Sequence, residues 1–90
     1  MELSVSDGQF HLTLYAKTHI TGYIGCTTQS MLSFFLNQTN ELRVNQGLTL
    51  HRNRDDHPYT YYFIKDGVRV EVQQDEVLNF LVGLRDHVKL

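Results

Sequence analysis

The sequence predicts an α+β fold, in which a mainly antiparallel sheet of five to seven strands packs against two helices. Two Asp-Gly dipeptides stand between alternating apolar residues, which is typical of β-hairpins, and two other segments carry apolar residues at helical spacing. The predicted element order is β-β-β-α-β-β-β-β-α. A chain of 90 residues is expected to form one domain, spanning residues 1–90.

The first hairpin turns at Asp7-Gly8. Asp-Gly suits a type I′ turn because both central positions of that turn need a positive φ. In the resulting register Val5 faces Phe10, and Leu3 faces Leu12. A shift by one residue would move every side chain to the other face of the sheet, so this register is strongly specified.

A third strand and a first helix are predicted to follow. Residues 18–24 are rich in β-branched and aromatic side chains, which favours a strand after a loose turn at Lys17 and Thr18. Thr27 or Thr28 can cap the helix through its hydroxyl, and the polar run 37–40 is expected to end it. The apolar residues at helical spacing in this helix are Met31, Leu32, Phe35 and Leu36, with Phe34 beside them.

The segment from residue 38 to residue 50 is open to two interpretations. Apolar residues that alternate on both sides of Asn45-Gln46-Gly47 favour two short strands, whereas a helix from Glu41 that ends at Gly47 is the alternative. Residues 52–58 are predicted to form a loop, because they are polar and contain Pro58, the chain's one proline.

The second hairpin turns at Asp66-Gly67, which predicts that Phe63 faces Val70 and that Tyr61 faces Val72. Asp75 is expected to cap the last helix. The apolar residues of that helix form a single stripe. They are Val77, Phe80, Leu81, Leu84 and Val88.

Composition and charge argue against several classes of protein. The formal net charge is −2, and the sequence shows no cationic stripe for DNA and no large acidic excess of the kind that DNA mimics carry. The six glycines form neither G-x-G-x-x-G nor a P-loop, so no nucleotide cofactor is expected. Cys26 is the one cysteine, which fits a reducing compartment. No signal peptide and no apolar run of roughly 18 residues is found, so a cytoplasmic protein is expected.

A partner-binding surface is predicted on the outward face of the second hairpin. In the predicted register Tyr62 lies opposite Glu71, and Ile64 lies opposite Arg69, on the face away from the core. Tyr15 is expected nearby. Apolar and aromatic side chains on a nominally polar face suggest that a partner protein, a second subunit or the first helix covers it. Packing of the tyrosine ring on its cross-strand neighbours is the alternative explanation.

The leading interpretation is therefore a non-enzymatic protein-interaction module: a small regulator, adaptor or inhibitor that acts through a sheet face or a sheet edge. The partner would be another protein or a second copy of the chain, and edge strands are expected at the N-terminus or within residues 41–50. Compact chains of this kind are frequent among phage-encoded and accessory proteins.

Two other functions stay open. A nucleic-acid-associated protein would stack bases on sheet aromatics such as Tyr62 and hold phosphates with Arg52, Arg54 and Arg69. Salt-dependent binding would distinguish this function from the first.

A small metal-dependent enzyme is the second alternative, with His51, Asp55 and His57 as ligands. Three protein ligands and an open position are the usual arrangement of a catalytic zinc. A solvated loop explains the same residues more simply.

Two weaker chemical candidates remain. Cys26 precedes the first predicted helix, where a thiol could act as a nucleophile, but the sequence offers no orienting partner and a buried small residue is expected instead. His11 and His19 flank the turn between the second and third predicted strands, where they could form a pH-sensitive or metal-binding pair. Two unrelated histidines on the polar face of the sheet are the favoured explanation.

Overall fold

The computed structural model describes residues 2–15 and 18–88, which contain seven strands and two α-helices in the predicted order. The fold is α+β with antiparallel pairing, as the sequence predicts. Neither helix is long and apolar enough to cross a bilayer. The elements are β1 (Glu2–Ser6), β2 (Gln9–Thr13), β3 (His19–Tyr23), α1 (Thr28–Phe35), β4 (Glu41–Asn45), β5 (Leu48–Asn53), β6 (Thr60–Lys65), β7 (Val68–Val72) and α2 (Gln74–Leu84), with a 3₁₀ turn at Arg85–His87.

The strands form two sheets, in the orders β1-β2-β3 and β4-β5-β6-β7, so the prediction of one sheet is wrong. β3 and β4 are neighbours that do not pair as a ladder. The Gly25 N–H donates to the Val44 carbonyl at 2.7 Å, and the side-chain amide of Asn45 donates to the Tyr23 carbonyl at 2.9 Å. The described contacts between these two segments thus combine a main-chain and a side-chain hydrogen bond in place of a strand ladder.

Both Asp-Gly hairpins have the predicted register. The two turn residues of each hairpin have φ between 50° and 82°, as a type I′ turn requires. The third predicted strand is β3, while Lys17 of the turn before it lies outside the described residues. The confirmed cross-strand pairs are Leu3–Leu12, Val5–Phe10, Tyr61–Val72 and Phe63–Val70.

The segment around Gly47 forms two strands, β4 and β5, so the favoured interpretation is confirmed and the helix is excluded. The Gly47 N–H donates to the side-chain oxygen of Asn45 at 2.9 Å. An asparagine that bonds the backbone two residues ahead mimics a backbone turn, which explains why the chain reverses here.

Phe80 of α2 joins the two sheets into one core. Its ring packs edge-on against Phe10 of β2 with 5.5 Å between ring centroids, and against Phe63 of β6 at 5.4 Å. Phe80 is fully buried. Four residues of the apolar stripe predicted for the last helix, Val77, Phe80, Leu81 and Leu84, are buried as expected. The fifth, Val88, lies beyond the helix, where the backbone is extended after the 3₁₀ turn.

The start of α2 differs from the prediction, because the cap is Gln73 and not Asp75. Glu76 is buried and accepts the Gln73 N–H at 2.8 Å, which forms a capping box. The second carboxylate oxygen of Glu76 accepts the Tyr15 N–H at 2.8 Å. Both oxygens are thus bonded, and the chain just after β2 is fastened to α2.

Thr27 caps α1, since its hydroxyl oxygen accepts the Ser30 N–H at 3.1 Å. At the other end Asn37 adopts a left-handed φ of 62°. The N–H groups of Asn37 and Gln38 bond back to carbonyls of the last turn, which is a Schellman motif. The helix ends where the polar run predicts, and the left-handed asparagine is the reason.

Candidate functional site

α1 and its C-cap residue Leu36 together expose more large apolar side chains than they bury. Met31 and Phe34 face the core. Leu32, Phe35 and Leu36 are 53%, 53% and 52% exposed, so most of the apolar residues at helical spacing point away from the core. They stand at positions i, i+3 and i+4 and therefore share one face of the helix. We call these three residues the α1 stripe.

The α1 stripe lies in a part of the chain without formal charges. Residues 18–40 contain no Asp, Glu, Lys or Arg, although 20% of the whole chain is charged. The same segment contains Tyr23, which is 47% exposed. Depletion of charge combined with exposed aromatic and aliphatic side chains is the composition of an interface core.

A signal for this surface is present in the sequence, although periodicity alone misses it. Residues 31–36 contain five large apolar side chains, and α1 has only eight residues. One face of a two-turn helix cannot bury all five. Some of them must therefore point outward, in a part of the chain that carries no formal charge.

The buried guanidinium of Arg52 hydrogen-bonds the backbone at the C-terminal end of α1. Arg52 is 7% exposed, and its guanidinium donates to the Phe34 carbonyl and to the Thr39 carbonyl, each at 2.9 Å. Its Nε donates to the Tyr61 hydroxyl at 3.3 Å. A cation is favourable at a helix C-terminus, where the carbonyls carry the negative end of the helix dipole.

The three arginines predicted to hold phosphates do not form a cationic groove. Arg52 is buried, which corrects its assignment to a nucleic-acid surface. Arg54 donates to the Asn37 carbonyl and thereby also holds the end of α1. Arg69 lies on the outward face of the second sheet, where its Nε is 2.6 Å from an Oε1 atom of Glu71.

Tyr62 lies between two neighbours on the outward face of the second sheet. The His51 ring stacks on it with 5.0 Å between centroids and 9° between planes, and the Arg69 guanidinium carbon is 3.9 Å from its centroid. His51 belongs to β5 and Arg69 to β7, on the two sides of β6. Both faces of the phenol ring are therefore covered, and neither is left to stack on a nucleic-acid base.

The structure brings together four of the five residues predicted to bind a partner. Tyr62 lies opposite Glu71, and Ile64 opposite Arg69, as predicted. Tyr15 lies elsewhere, at the N-terminus of α2, where its hydroxyl donates to Asp75 at 3.1 Å. That hydrogen bond raises the pKa of Tyr15 above its ordinary value. The Tyr62 ring packs on the Arg69 and His51 side chains of the two neighbouring strands, which is the arrangement of the cross-strand alternative.

The polar loop does not bring its predicted metal ligands together. Within residues 2–15 and 18–88, no group of three or more His, Cys, Asp or Glu side chains is placed to hold a metal ion. His51 stacks on Tyr62. His57 packs against Tyr59 with 6.2 Å between centroids, and the Asp55 N–H bonds the Asn53 side chain.

His11 and His19 approach each other. Their rings lie 5.6 Å apart by centroid on the exposed face of the first sheet. The Thr13 hydroxyl is 3.1 Å from His19 Nδ1. Two imidazoles form a pair that lacks the third protein ligand typical of a zinc site.

Cys26 lines a cleft of about 400 Å³ beside the N-terminus of α1, between the end of β3 and the turn after β4. The residue is buried, and burial raises the pKa of its thiol. A thiol with a raised pKa stays protonated at neutral pH, which makes it a poor nucleophile. The expectation of a small buried residue therefore fits its surroundings.

Comparison of the chain with models of known protein families, with curated proteins and with solved structures finds no match. The α1 stripe and its uncharged surroundings, together with the packed face of the second sheet, are therefore the features from which a function is inferred.

Proposed function

We propose that this protein is a non-enzymatic protein-interaction module, a small regulator, adaptor or inhibitor, and that the α1 stripe is its contact surface. One observation carries the proposal. Leu32, Phe35 and Leu36 are each more than half exposed, within a segment that has no formal charge. Contiguous exposed apolar surface of this kind is typical of a binding site.

The chemistry of the stripe specifies the kind of partner. Residues at i, i+3 and i+4 of a short helix are the anchors of helix-in-groove recognition. The partner would therefore be a protein with an apolar groove about two helical turns long. The lining of the groove would be uncharged, because α1 has no side chain that could pair with a charge buried in the contact.

Hydrogen bonds at both ends of α1 hold the helix in place, which favours tight binding. The Thr27 cap fixes the start of the helix, and Arg52 holds its end through two carbonyls. A helix that is already ordered before binding loses less conformational entropy when the complex forms. The stripe is thus presented on a rigid scaffold, although it lies on the surface.

A matched pair of variants tests the proposal by affinity capture from the native host. Leu32→Gln with Phe35→Gln removes two anchors of the stripe. Leu78→Gln with Val82→Gln is the control, because these residues of α2 are 50% and 47% exposed and also share one helix face. Thermal unfolding should show both variants folded.

The expected result is one or more proteins that wild type and the α2 variant capture and that the α1 variant does not. Loss of two buried apolar anchors should weaken binding of the purified partner by tenfold or more, since each is worth about 1.5–3 kcal/mol. Binding should change little with salt, because no charges take part. Capture that is equal for all three proteins would contradict the proposal.

A further inference from the structure

β7 is an end strand of the second sheet, and one of its edges is open. It pairs with β6 through the two-residue turn after Lys65. Lys65 and Val68 flank that turn and form a hydrogen-bonded pair, and hydrogen bonding alternates along an antiparallel ladder. The backbone N–H and C=O groups of Arg69 and Glu71 therefore point away from β6, toward the open edge.

Within the described part of the chain, this edge has no partner strand. Outside β6, no backbone group of residues 2–15 or 18–88 bonds the main chain of Arg69 or Glu71. β7 contains no proline, and its register with β6 is continuous. Val68 on the same strand is 63% exposed. An open edge without proline or bulge is a template for a further strand.

The sequence of β7 is complementary to itself. Val68-Arg69-Val70-Glu71-Val72 reads the same in both directions except for the sign of its two charges. When two copies pair antiparallel about Val70, Arg69 lies opposite Glu71 of the second copy, and Glu71 lies opposite its Arg69. These are the residues whose backbone groups point outward, so the register that pairs the charges also forms the ladder hydrogen bonds.

We propose that the protein pairs with a second copy of itself through the β7 edges, so that two four-stranded sheets become one continuous sheet. The contact is two-fold symmetric and closes on itself, which favours a dimer over a fibre. The ladder stops at Gln73, because its N–H is bonded to Glu76 in the capping box of α2.

This contact is separate from the proposed function. α1 packs beside β4, which lies at the opposite end of the strand order from β7. A β7 dimer would therefore carry two exposed α1 stripes. Each proposal can fail without the other.

Charge reversal tests the β7 register directly, with sedimentation equilibrium as the measure of mass. Arg69→Glu places Glu opposite Glu, and Glu71→Arg places Arg opposite Arg. Each variant alone should raise the dimer dissociation constant about tenfold or more, since like charges directly opposite destabilise a strand pair. The double variant, Arg69→Glu with Glu71→Arg, restores opposite charges and should dimerise like wild type.

A mixture of the two single variants gives the sharpest result. One chain then contributes two acidic residues and the other two basic residues, so the mixture should form a heterodimer although each variant alone is mainly monomeric. Both positions are exposed, so all variants should keep the wild-type circular dichroism spectrum. The Leu32→Gln, Phe35→Gln variant should keep the wild-type mass.

Amide hydrogen exchange identifies the residues that form the contact between the two copies. The Arg69 and Glu71 amides should exchange more slowly as protein concentration rises, whereas the Val70 amide, bonded within the hairpin, should be protected at every concentration. A wild-type protein that stays monomeric at about millimolar concentration would overturn the proposal. So would a dimer that all charge variants form equally.

Discussion

The guanidinium carbon of Arg52 lies 4.1 Å from the centroid of the Phe34 ring, and the same group donates to the Phe34 carbonyl at 2.9 Å. One arginine thus holds both the side chain and the main chain of a single helical residue. Among the described residues Arg52 forms no salt bridge with a carboxylate. Its charge is balanced by carbonyl oxygens at the end of α1 and by the faces of two aromatic rings.

Replacement of Arg52 should lower the free energy of unfolding. Arg52→Met keeps an aliphatic stem but removes the guanidinium donors to the Phe34 and Thr39 carbonyls, and the Phe34 carbonyl then keeps the Asn37 N–H as a donor. This loss should lower the free energy of unfolding by about 2–3 kcal/mol. The free energy of unfolding of Arg52→Lys should lie between those of wild type and Arg52→Met, because an ammonium group cannot reproduce the paired hydrogen bonds of the planar guanidinium. Arg85→Met is the control, since the Arg85 side chain is 69% exposed. Urea unfolding measures all three variants, and equal losses for Arg52→Met and Arg85→Met would contradict this role.

Alanine and glycine at position 37 should have different effects on the free energy of unfolding. Its φ of 62° is left-handed, and a left-handed conformation costs a residue with a Cβ about 1–2 kcal/mol. Asn37→Ala should therefore lower the free energy of unfolding by about 1 kcal/mol, because alanine lacks the local bonding that helps asparagine tolerate this region. Asn37→Gly should stay within about 0.5 kcal/mol of wild type. Urea midpoints that do not differ between the two variants would show that the helix ends for another reason.

The thiol of Cys26 should react slowly in the folded protein. Burial raises its pKa, so at neutral pH both the low thiolate fraction and the restricted access oppose alkylation. Iodoacetamide should modify it far faster in urea than in buffer, as mass spectrometry can follow. Similar rates in the two solvents would contradict the buried position.

The raised pKa of the Cys26 thiol also determines the direction in which pH changes the stability of the protein. The native state prefers the neutral thiol, so this contribution to stability is complete below the ordinary thiol pKa and is lost as pH rises through the folded value. Wild type should therefore lose more stability than Cys26→Ala between neutral and strongly alkaline pH. The urea midpoints of the two proteins at both pH values measure the difference.

Gly83 allows β1 to lie against α2. A Cβ at this position would overlap the Cδ2 atom of Leu3. In wild type, Leu3 must shift to admit a Cβ at position 83, so Gly83→Ala should gain less than the roughly 1 kcal/mol by which alanine favours a helix over glycine. In a Leu3→Ala background the full gain of about 1 kcal/mol should appear. A double-mutant cycle measured by urea unfolding gives the coupling, and additive effects would show that the two residues do not touch.

The local parts of the fold were predictable and the long-range parts were not. The register of both hairpins follows from Asp-Gly, because a two-residue turn leaves one way to pair its strands. The division into two sheets was not predictable, and where the sheets meet, the Asn45 amide bonds the carbonyl of Tyr23 more than twenty residues earlier in the chain. No periodicity in either segment records such a contact.

The same distinction applies to the candidate surfaces. The outward positions of Tyr62 and Arg69 follow from the hairpin alone and were predicted. The stacking of His51 on Tyr62 depends on the register of β5 against β6. A polar loop connects these two strands, and its sequence contains no turn motif that would specify this register. Arg52 looks like a solvent-exposed cation in a polar run, because its aromatic and carbonyl neighbours come from α1 and β6.

The contacts of Phe80 with Phe10 and Phe63 have a consequence for biosynthesis. α2 follows both sheets in chain order, yet it supplies the side chain that fills the space between them. The N-terminal hairpin thus has no lasting cover for its apolar face until α2 emerges from the ribosome. Nascent chains stalled before α2 should consequently be sensitive to protease, and protection should arise in a single step once that helix is free.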